Sequence, residues 1–140
     1  NQHLQRKLTP DFVIDWLYKK VQKQINKVNE IGKNFNYFTP FESIFEKAEK
    51  AKQVISPGTQ FGEGWLISGE ILSFASQGVN HVISLQPFGC IANHIVEKGI
   101  EKRIKSLCPQ MNILSLDFDS SVSDVNITNR LLLFIDNINN

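Results

Sequence analysis

Residues 79–118 decide the fold, because two short apolar runs flank one helical run in this stretch. The first run is Val-Asn-His-Val-Ile-Ser-Leu-Gln at residues 79–86, and the second is Asn-Ile-Leu-Ser-Leu-Asp-Phe at residues 112–118. Both runs predict buried strands, and residues 91–107 between them predict a helix. The expected inward positions of that helix are Ile91, Ile95, Ile100, Ile104 and Leu107. A strand, a helix and a strand of this length predict a right-handed unit with parallel strands.

Helices are predicted on both sides of this unit. Residues 62–77 favour a helix that ends at Gly78, and residues 125–138 close the chain as an amphipathic helix. The inward positions expected for the closing helix are Ile127, Leu131, Phe134, Ile135 and Ile138. The predicted fold class is therefore α/β and helix-rich, with a small parallel sheet of two strands and a flavodoxin-like strand–helix–strand crossover.

Two amphipathic helices are predicted ahead of the α/β region. Apolar residues recur at three- and four-residue steps over residues 10–31, where Thr9-Pro10 is a start signal and Gly32 a stop signal. Residues 41–55 predict the second helix. The break Ser56-Pro57-Gly58-Thr59 separates a helical region, 1–55, from an α/β region, 56–140, and the two are expected to form one domain.

The composition is that of an ordinary globular domain, with 140 residues, 41% hydrophobic, 21% charged and a formal net charge of +1. The balanced charge excludes a basic footprint for nucleic acid, and no apolar run is long enough to span a membrane. The two cysteines lack metal-knuckle spacing and favour a reducing, cytoplasmic compartment. Because the chain begins at Asn1 without an initiator methionine, we expect a fragment of a longer protein.

Cys90 is the first candidate functional residue, because it follows one predicted strand and starts a predicted helix. Backbone N–H groups and the positive end of the helix dipole favour a thiolate there, and Gly89 would let a ligand approach the backbone. A small buried hydrophobe is an equally good interpretation of a lone cysteine. Both strand ends should share one edge, where ligands bind in open α/β sheets. Cys108 lies at the opposite edge and is expected to be buried.

Asn93 and His94 lie three and four residues after Cys90, so all three can share one face of the helix. They are the candidate catalytic residues of this edge. Taken alone, His94 is most simply a surface side chain bonded to a carbonyl, although it could also donate a proton or bind a metal. Because His94 stands on the same helix as Cys90, we expect it to flank a cofactor and not to activate the thiol.

Polar residues also follow the second strand. Asp117 and Asp119 stand two positions apart and could hold Mg²⁺, as in a phosphohydrolase. Capping of the last helix by Asp119, Ser121 or Ser123 is the preferred interpretation. Asn126 and Arg130 lie on the first two turns of that helix, where Arg130 can reach an anionic group or an acidic neighbour. With Gly89, they are the candidate cofactor-binding residues.

Three glycines surround Trp65, at Gly62, Gly64 and Gly69. Each costs about 0.5–1 kcal/mol relative to alanine in a helix interior, so a packing or binding need is expected to offset the loss. A close contact between helices would suffice.

Taken together, three clusters resemble the large CoA-substrate-specific enzyme activases, a family related to the 2-hydroxyacyl-CoA dehydratase subunits and their activators. The first cluster is Gly-Glu-Gly-Trp-Leu at 62–66. The second is Gln-Pro-Phe-Gly-Cys at 86–90 with Asn93-His94, and the third runs from Asp-Phe-Asp at 117–119 through Ser-Asp-Val-Asn at 123–126 to Asn-Arg at 129–130. The similar run covers about residues 62–130, half of the chain.

The resemblance implies that Cys90 is a metal ligand of an iron–sulfur cluster of the four-iron type, in a low-potential electron-transfer assembly. The other ligands would come from the part of the protein upstream of Asn1, because Cys108 lies at the wrong edge, so no cluster is expected in the chain by itself. The implied partners are the remainder of its own protein and an acyl-CoA dehydratase, reductase or activator subunit. The nucleotide-binding module of the family is not among these residues, so we expect no ATP hydrolysis.

A second hypothesis belongs to a different class of protein. Residues 1–55 carry ten Lys or Arg against six Asp or Glu, whereas residues 56–140 carry five against eight. The chain could therefore be a non-catalytic interaction domain that docks a partner through its basic N-terminal helices.

Overall fold

The computed structural model describes residues 11–118 and 123–139 of the chain. Contacts between Cα atoms divide the chain into two units, Asn1–Glu42 and Ser43–Asn140. The predicted start signal Thr9-Pro10 and the acidic residue Asp119 lie outside the described residues.

The first unit contains helix α1 (Asp11–Gly32), as the periodicity of residues 10–31 predicts. The helix ends at Gly32, where a Cβ atom would collide with the ring of Phe38. Beyond this end, the Phe41 backbone N–H donates to the Asn29 side-chain oxygen at 3.0 Å, and Phe38 meets Phe41 edge to face. The returning chain is thus tied to the last turns of the helix.

The second unit begins with a hairpin of two helices, α2 (Ile44–Ala51) and α3 (Gly64–Ser76). Helix α2 is shorter at both ends than the predicted helix 41–55. A capping box between Ser43 and Glu46 fixes the start of α2. The two helices approach so closely that a Cβ atom at Gly69 would lie 2.6 Å from the Lys47 carbonyl oxygen. Because α2 packs on α3, the compositional boundary at 55/56 falls inside this unit and not between units.

The sheet has two parallel strands, β1 (His81–Pro87) and β2 (Asn112–Phe118), in agreement with the prediction. Strand β1 starts two residues later and ends one residue later than expected, whereas β2 has the predicted bounds. The register pairs His81 with Asn112 and Pro87 with Phe118, so both strands end at one edge.

The connection between the strands starts as a π-helix (Ala92–Glu97) that continues into helix α4 (Lys98–Leu107). Ile100 and Ile104 are buried as predicted, and with Ile71 and Met111 they form the core. The inward orientation expected for Ile91, Ile95 and Leu107 is wrong, since these three side chains are exposed. In the first turns of the connection the buried positions are instead Ala92, Asn93, Val96 and Glu97.

Helix α5 (Asp124–Asn139) ends the described chain. Phe134 is buried and meets the His81 ring edge to face, but Ile135 and Ile138, which were expected to face inward, are exposed. The described residues thus form five α-helices, a π-helix and one parallel pair of strands, which confirms the helix-rich α/β class. Among the helices of the described ranges, none is both long and apolar enough to cross a membrane.

Candidate functional site

The strand-end edge, which we define as Pro87–Cys90 together with His94 and Asp117, is the candidate site. The Phe88 N–H extends the strand pairing by donating to the Phe118 carbonyl oxygen at 3.3 Å. The chain then turns, with the Cys90 N–H donating to the Pro87 carbonyl oxygen at 3.1 Å, and enters the π-helix. Cys90 is half-buried, so its predicted place at an accessible strand-to-helix turn is confirmed.

Gly89 is required by the backbone of this turn. Its φ is +74°, in the left-handed region that side chains other than glycine rarely adopt. A Cβ atom there would have nothing within 4 Å, so among the described residues no close approach of chain explains the glycine.

His94 joins the thiol-bearing turn to the second strand. Its Nδ1 lies 3.1 Å from the Cys90 carbonyl oxygen and its Nε2 lies 3.2 Å from the Asp117 carboxylate. Both neighbours are acceptors when Asp117 is ionised, and only an imidazolium donates through both ring nitrogens. The structure therefore brings His94 and Asp117 together beside Cys90, as an ion pair when His94 is protonated.

Asn93 does not join this group. It is only 8% exposed, and its amide donates to the Glu97 carboxylate at 3.0 Å in the interior. The expected common face of Cys90, Asn93 and His94 is therefore not formed.

Asn126 and Arg130 stand on α5. Asn126 is exposed on the first turn, where its N–H donates to the Ser123 carbonyl oxygen at 2.9 Å. Arg130 is half-buried and donates to the Ser115 carbonyl oxygen at 2.5 Å. It thus binds the backbone of β2, whereas an anionic group or an acidic neighbour was expected. The hydrogen bond ties α5 to β2.

Cys108 follows α4 and precedes β2, at the opposite end of the sheet from Cys90. It is half-buried, so the prediction of a buried thiol is wrong. The reason is a cleft of about 320 Å³, which Cys108 lines together with Lys50, Leu72 and Leu107. Accessibility alone therefore does not distinguish the two thiols; their positions in the fold do.

The glycines around Trp65 serve packing. A Cβ atom at Gly64 would lie 2.9 Å from a methyl group of Val96, and one at Gly69 would press on the backbone of Lys47. Gly62 has a φ of +58° in the turn before α3. The expected close helix contact is confirmed, and it brings α3 against the π-helix.

A buried polar group beneath the strand-end edge was missed by the sequence reasoning. It contains Glu97, which accepts hydrogen bonds from Ser84 and Ser115, and Gln86, which is fully buried. Neither amide atom of Gln86 has a hydrogen-bond partner among the described residues. The signal was available in the strands, since Ser84 and Ser115 interrupt two apolar runs at the same register position.

The donor set limits what metal chemistry the chain can support by itself. A four-iron cluster is held by four thiolates, whereas this edge has one thiol. Within residues 11–118 and 123–139, no three His, Cys, Asp or Glu side chains are grouped so that they could hold a metal ion. Among the described residues, this edge therefore lacks the donor set of a complete four-iron cluster.

Comparisons with known proteins give no relative for this chain. No protein-family model, no curated protein and no solved structure matches it.

Proposed function

We propose that this chain is part of a CoA-substrate-specific enzyme activase or a 2-hydroxyacyl-CoA dehydratase-like protein, in which Cys90 supplies one thiolate to an iron–sulfur cluster for low-potential electron transfer. The observation that carries the proposal is the position of Cys90. The half-buried thiol lies at the carboxyl edge of a parallel sheet, directly after the left-handed turn at Gly89. The resemblance of residues 62–130 supplies the identity of the cofactor.

In this proposal the residues of the edge hold and surround the ligand. The Cys90 thiol loses its proton on ligation, because a thiolate is the form that binds iron. The turn at Gly89 leads into the helix that begins beside Cys90, and His94 adds a polar pair with Asp117 while its Nδ1 contacts the Cys90 carbonyl oxygen. When bound, the cluster supplies one-electron transfer.

The remaining ligands are assigned to other polypeptide. Cys108 lies at the far end of the sheet and cannot share a cluster with Cys90, because β2 separates the two edges. The proposed sources are the remainder of the same protein and an acyl-CoA dehydratase, reductase or activator subunit. Cys90 would therefore stand at a contact between this domain and the rest of the assembly.

The experiment compares Cys90→Ser with Cys108→Ser in the full-length protein after anaerobic reconstitution. Cys90→Ser should lower the iron and sulfide content and the visible charge-transfer absorption, because a serine oxygen is a poorer, harder ligand for iron than thiolate. Cys108→Ser is the matched control and should retain both. Equal iron content in the wild type and Cys90→Ser would refute the cluster assignment.

A second candidate function is docking through α1. Large apolar side chains along this helix are exposed: Phe12, Ile14, Leu17, Val21, Val28 and Ile31. The same helix carries Lys19, Lys20, Lys23 and Lys27, with no acidic residue between positions 16 and 29. These features suit an acidic, amphipathic segment of a partner protein.

The docking candidate is tested by calorimetric titration of the chain with a purified acyl-CoA dehydratase or activator subunit at low and high salt. The triple variant Lys19→Glu, Lys20→Glu, Lys23→Glu should weaken binding and reduce its salt dependence. Charge reversal at Lys98 and Lys102, which are exposed on α4, is the control and should leave binding unchanged. Equal affinities for the two reversed proteins would contradict docking through α1.

A further inference from the structure

Glu97 is a buried acidic residue that connects the two strands to the π-helix. It is 2% exposed. Its carboxylate accepts hydrogen bonds from the Ser84 hydroxyl at 2.6 Å, the Asn93 amide at 3.0 Å and the Ser115 hydroxyl at 3.3 Å. The two serines are register partners in the middle of the sheet. One side chain thus fixes the π-helix against both strands.

The apolar pattern of the same segment predicts a different orientation, in which Ile91 and Ile95 would face the sheet. Residues two positions apart lie on nearly opposite sides of a helix, so Glu97 and Ile95 cannot both face the sheet. Glu97 faces it, and Ile95 is 66% exposed while Ile91 is 52% exposed. The polar contact therefore prevails over the burial of two isoleucines.

The orientation of the π-helix also decides the geometry of the strand-end edge. His94 contacts the Cys90 carbonyl oxygen and Asp117 only when the π-helix is oriented with His94 toward β2. Turning Ile95 toward the sheet would carry His94 away from Asp117 and would move the start of the helix at Cys90. π-Helical segments occur frequently at functional sites, where they re-aim individual side chains.

We propose that Glu97 is a positioning residue, whose buried carboxylate selects the orientation of the π-helix and thereby holds Cys90 and His94 at the strand-end edge. The role of Cys90 as a cluster ligand rests on the proposed function. The orientation of the π-helix by Glu97 does not, because it is a property of the folded chain without iron. An experiment can therefore refute either one without the other.

The experiment uses isoleucine methyl NMR of the 140-residue chain with a soluble paramagnetic probe. In the wild type, the Ile95 methyl group should relax strongly and the buried Ile104 methyl group weakly. Glu97→Leu removes the acceptor and should bring the relaxation of Ile95 down toward that of Ile104. The His94 ring resonances should shift in the direction that Asp117→Asn produces.

Glu97→Gln is the conservative variant, since its amide oxygen can still accept from Ser84 and Asn93. It should keep the wild-type relaxation of Ile95 and the wild-type His94 resonances. If Glu97 acted only through its negative charge, Glu97→Gln would change both. Should Glu97→Leu fail to fold, the double variant Ser84→Ala, Ser115→Ala decides, because it removes two of the three donors with small changes in volume.

Wild-type relaxation of Ile95 together with unchanged His94 resonances in folded Glu97→Leu, or in the double variant Ser84→Ala, Ser115→Ala, would overturn the proposal. Measured on the iron-free chain, this outcome is independent of the iron assay of Cys90→Ser. If the NMR result is as expected but Cys90→Ser keeps its iron content, Glu97 orients the π-helix and Cys90 is not a cluster ligand.

Discussion

Gly69→Ala should destabilise the chain, although alanine is the better helix residue. The new Cβ atom would lie 2.6 Å from the Lys47 carbonyl oxygen and 3.4 Å from the Lys47 Cβ. The first of these neighbours is backbone of α2 and cannot rotate away. Helices α2 and α3 would have to separate, and the ion pair between Lys47 and Glu70, with 2.6 Å between Nζ and Oε1, spans the same contact.

The magnitude follows from two opposing effects. Overpacking costs about 1–3 kcal/mol, while replacing glycine in a helix interior returns about 1 kcal/mol. Because the collision is with backbone, the upper half of the overpacking range applies, and the net loss is about 1–2 kcal/mol. Gly99→Ala in α4 is the matched control, since nothing lies within 4 Å of its new Cβ. It should stabilise the chain by about 0.5–1 kcal/mol.

Urea denaturation followed by far-UV circular dichroism measures both variants. The midpoint should fall for Gly69→Ala and rise for Gly99→Ala, with the slope of the transition unchanged. A Gly69→Ala midpoint at or above that of the wild type would refute the reasoning, because the α2–α3 contact would then tolerate a methyl group. A lower midpoint for both variants would show that alanine does not stabilise these helices relative to glycine.

Two further stability predictions follow from the second unit. Ser43→Ala removes the hydroxyl that accepts from the Glu46 N–H and should cost about 1 kcal/mol, measured by the same denaturation; an unchanged midpoint would contradict a role for the capping box. Phe134→Ala deletes the buried ring of α5 and should cost about 3–5 kcal/mol, with faster amide exchange in α5 than in β2. Equal exchange in the two elements would mean that Phe134 does not anchor the helix.

The sequence predicts the order of helices and strands well, because the apolar periodicity within each segment determines which of the two it forms. Strand β2 has the predicted bounds, because the apolar residues Ile113, Leu114, Leu116 and Phe118 extend over the whole run. The second helix is shorter than residues 41–55, because the capping hydroxyl of Ser43 defines its start and periodicity alone does not reveal a cap. Helix ends are thus set by single hydrogen bonds that an apolar pattern does not contain.

The strand-end edge could be predicted in position but not in detail. The place of Cys90 follows from parallel topology, which the strand–helix–strand pattern contains. The pairing of His94 with Asp117 and the burial of Asn93 do not follow from it, because both depend on the orientation of the π-helix. That orientation depends on contacts between residues far apart in sequence, such as Glu97 with Ser115.

Two adjacent residues explain why the apolar pattern fails at the start of this helix. Val96 packs where α3 has only a hydrogen atom at Gly64, and Glu97 accepts hydrogen bonds from both strands. Each contact would be lost if Ile95 turned toward the sheet: the first would leave a gap beside Gly64, and the second would leave a carboxylate without its donors. Losing the donors of a buried charge is among the costlier changes in a protein interior. The glycine cluster of α3 and the serines of the sheet therefore act together, and they orient the segment that carries His94 to the Cys90 carbonyl oxygen and Asp117.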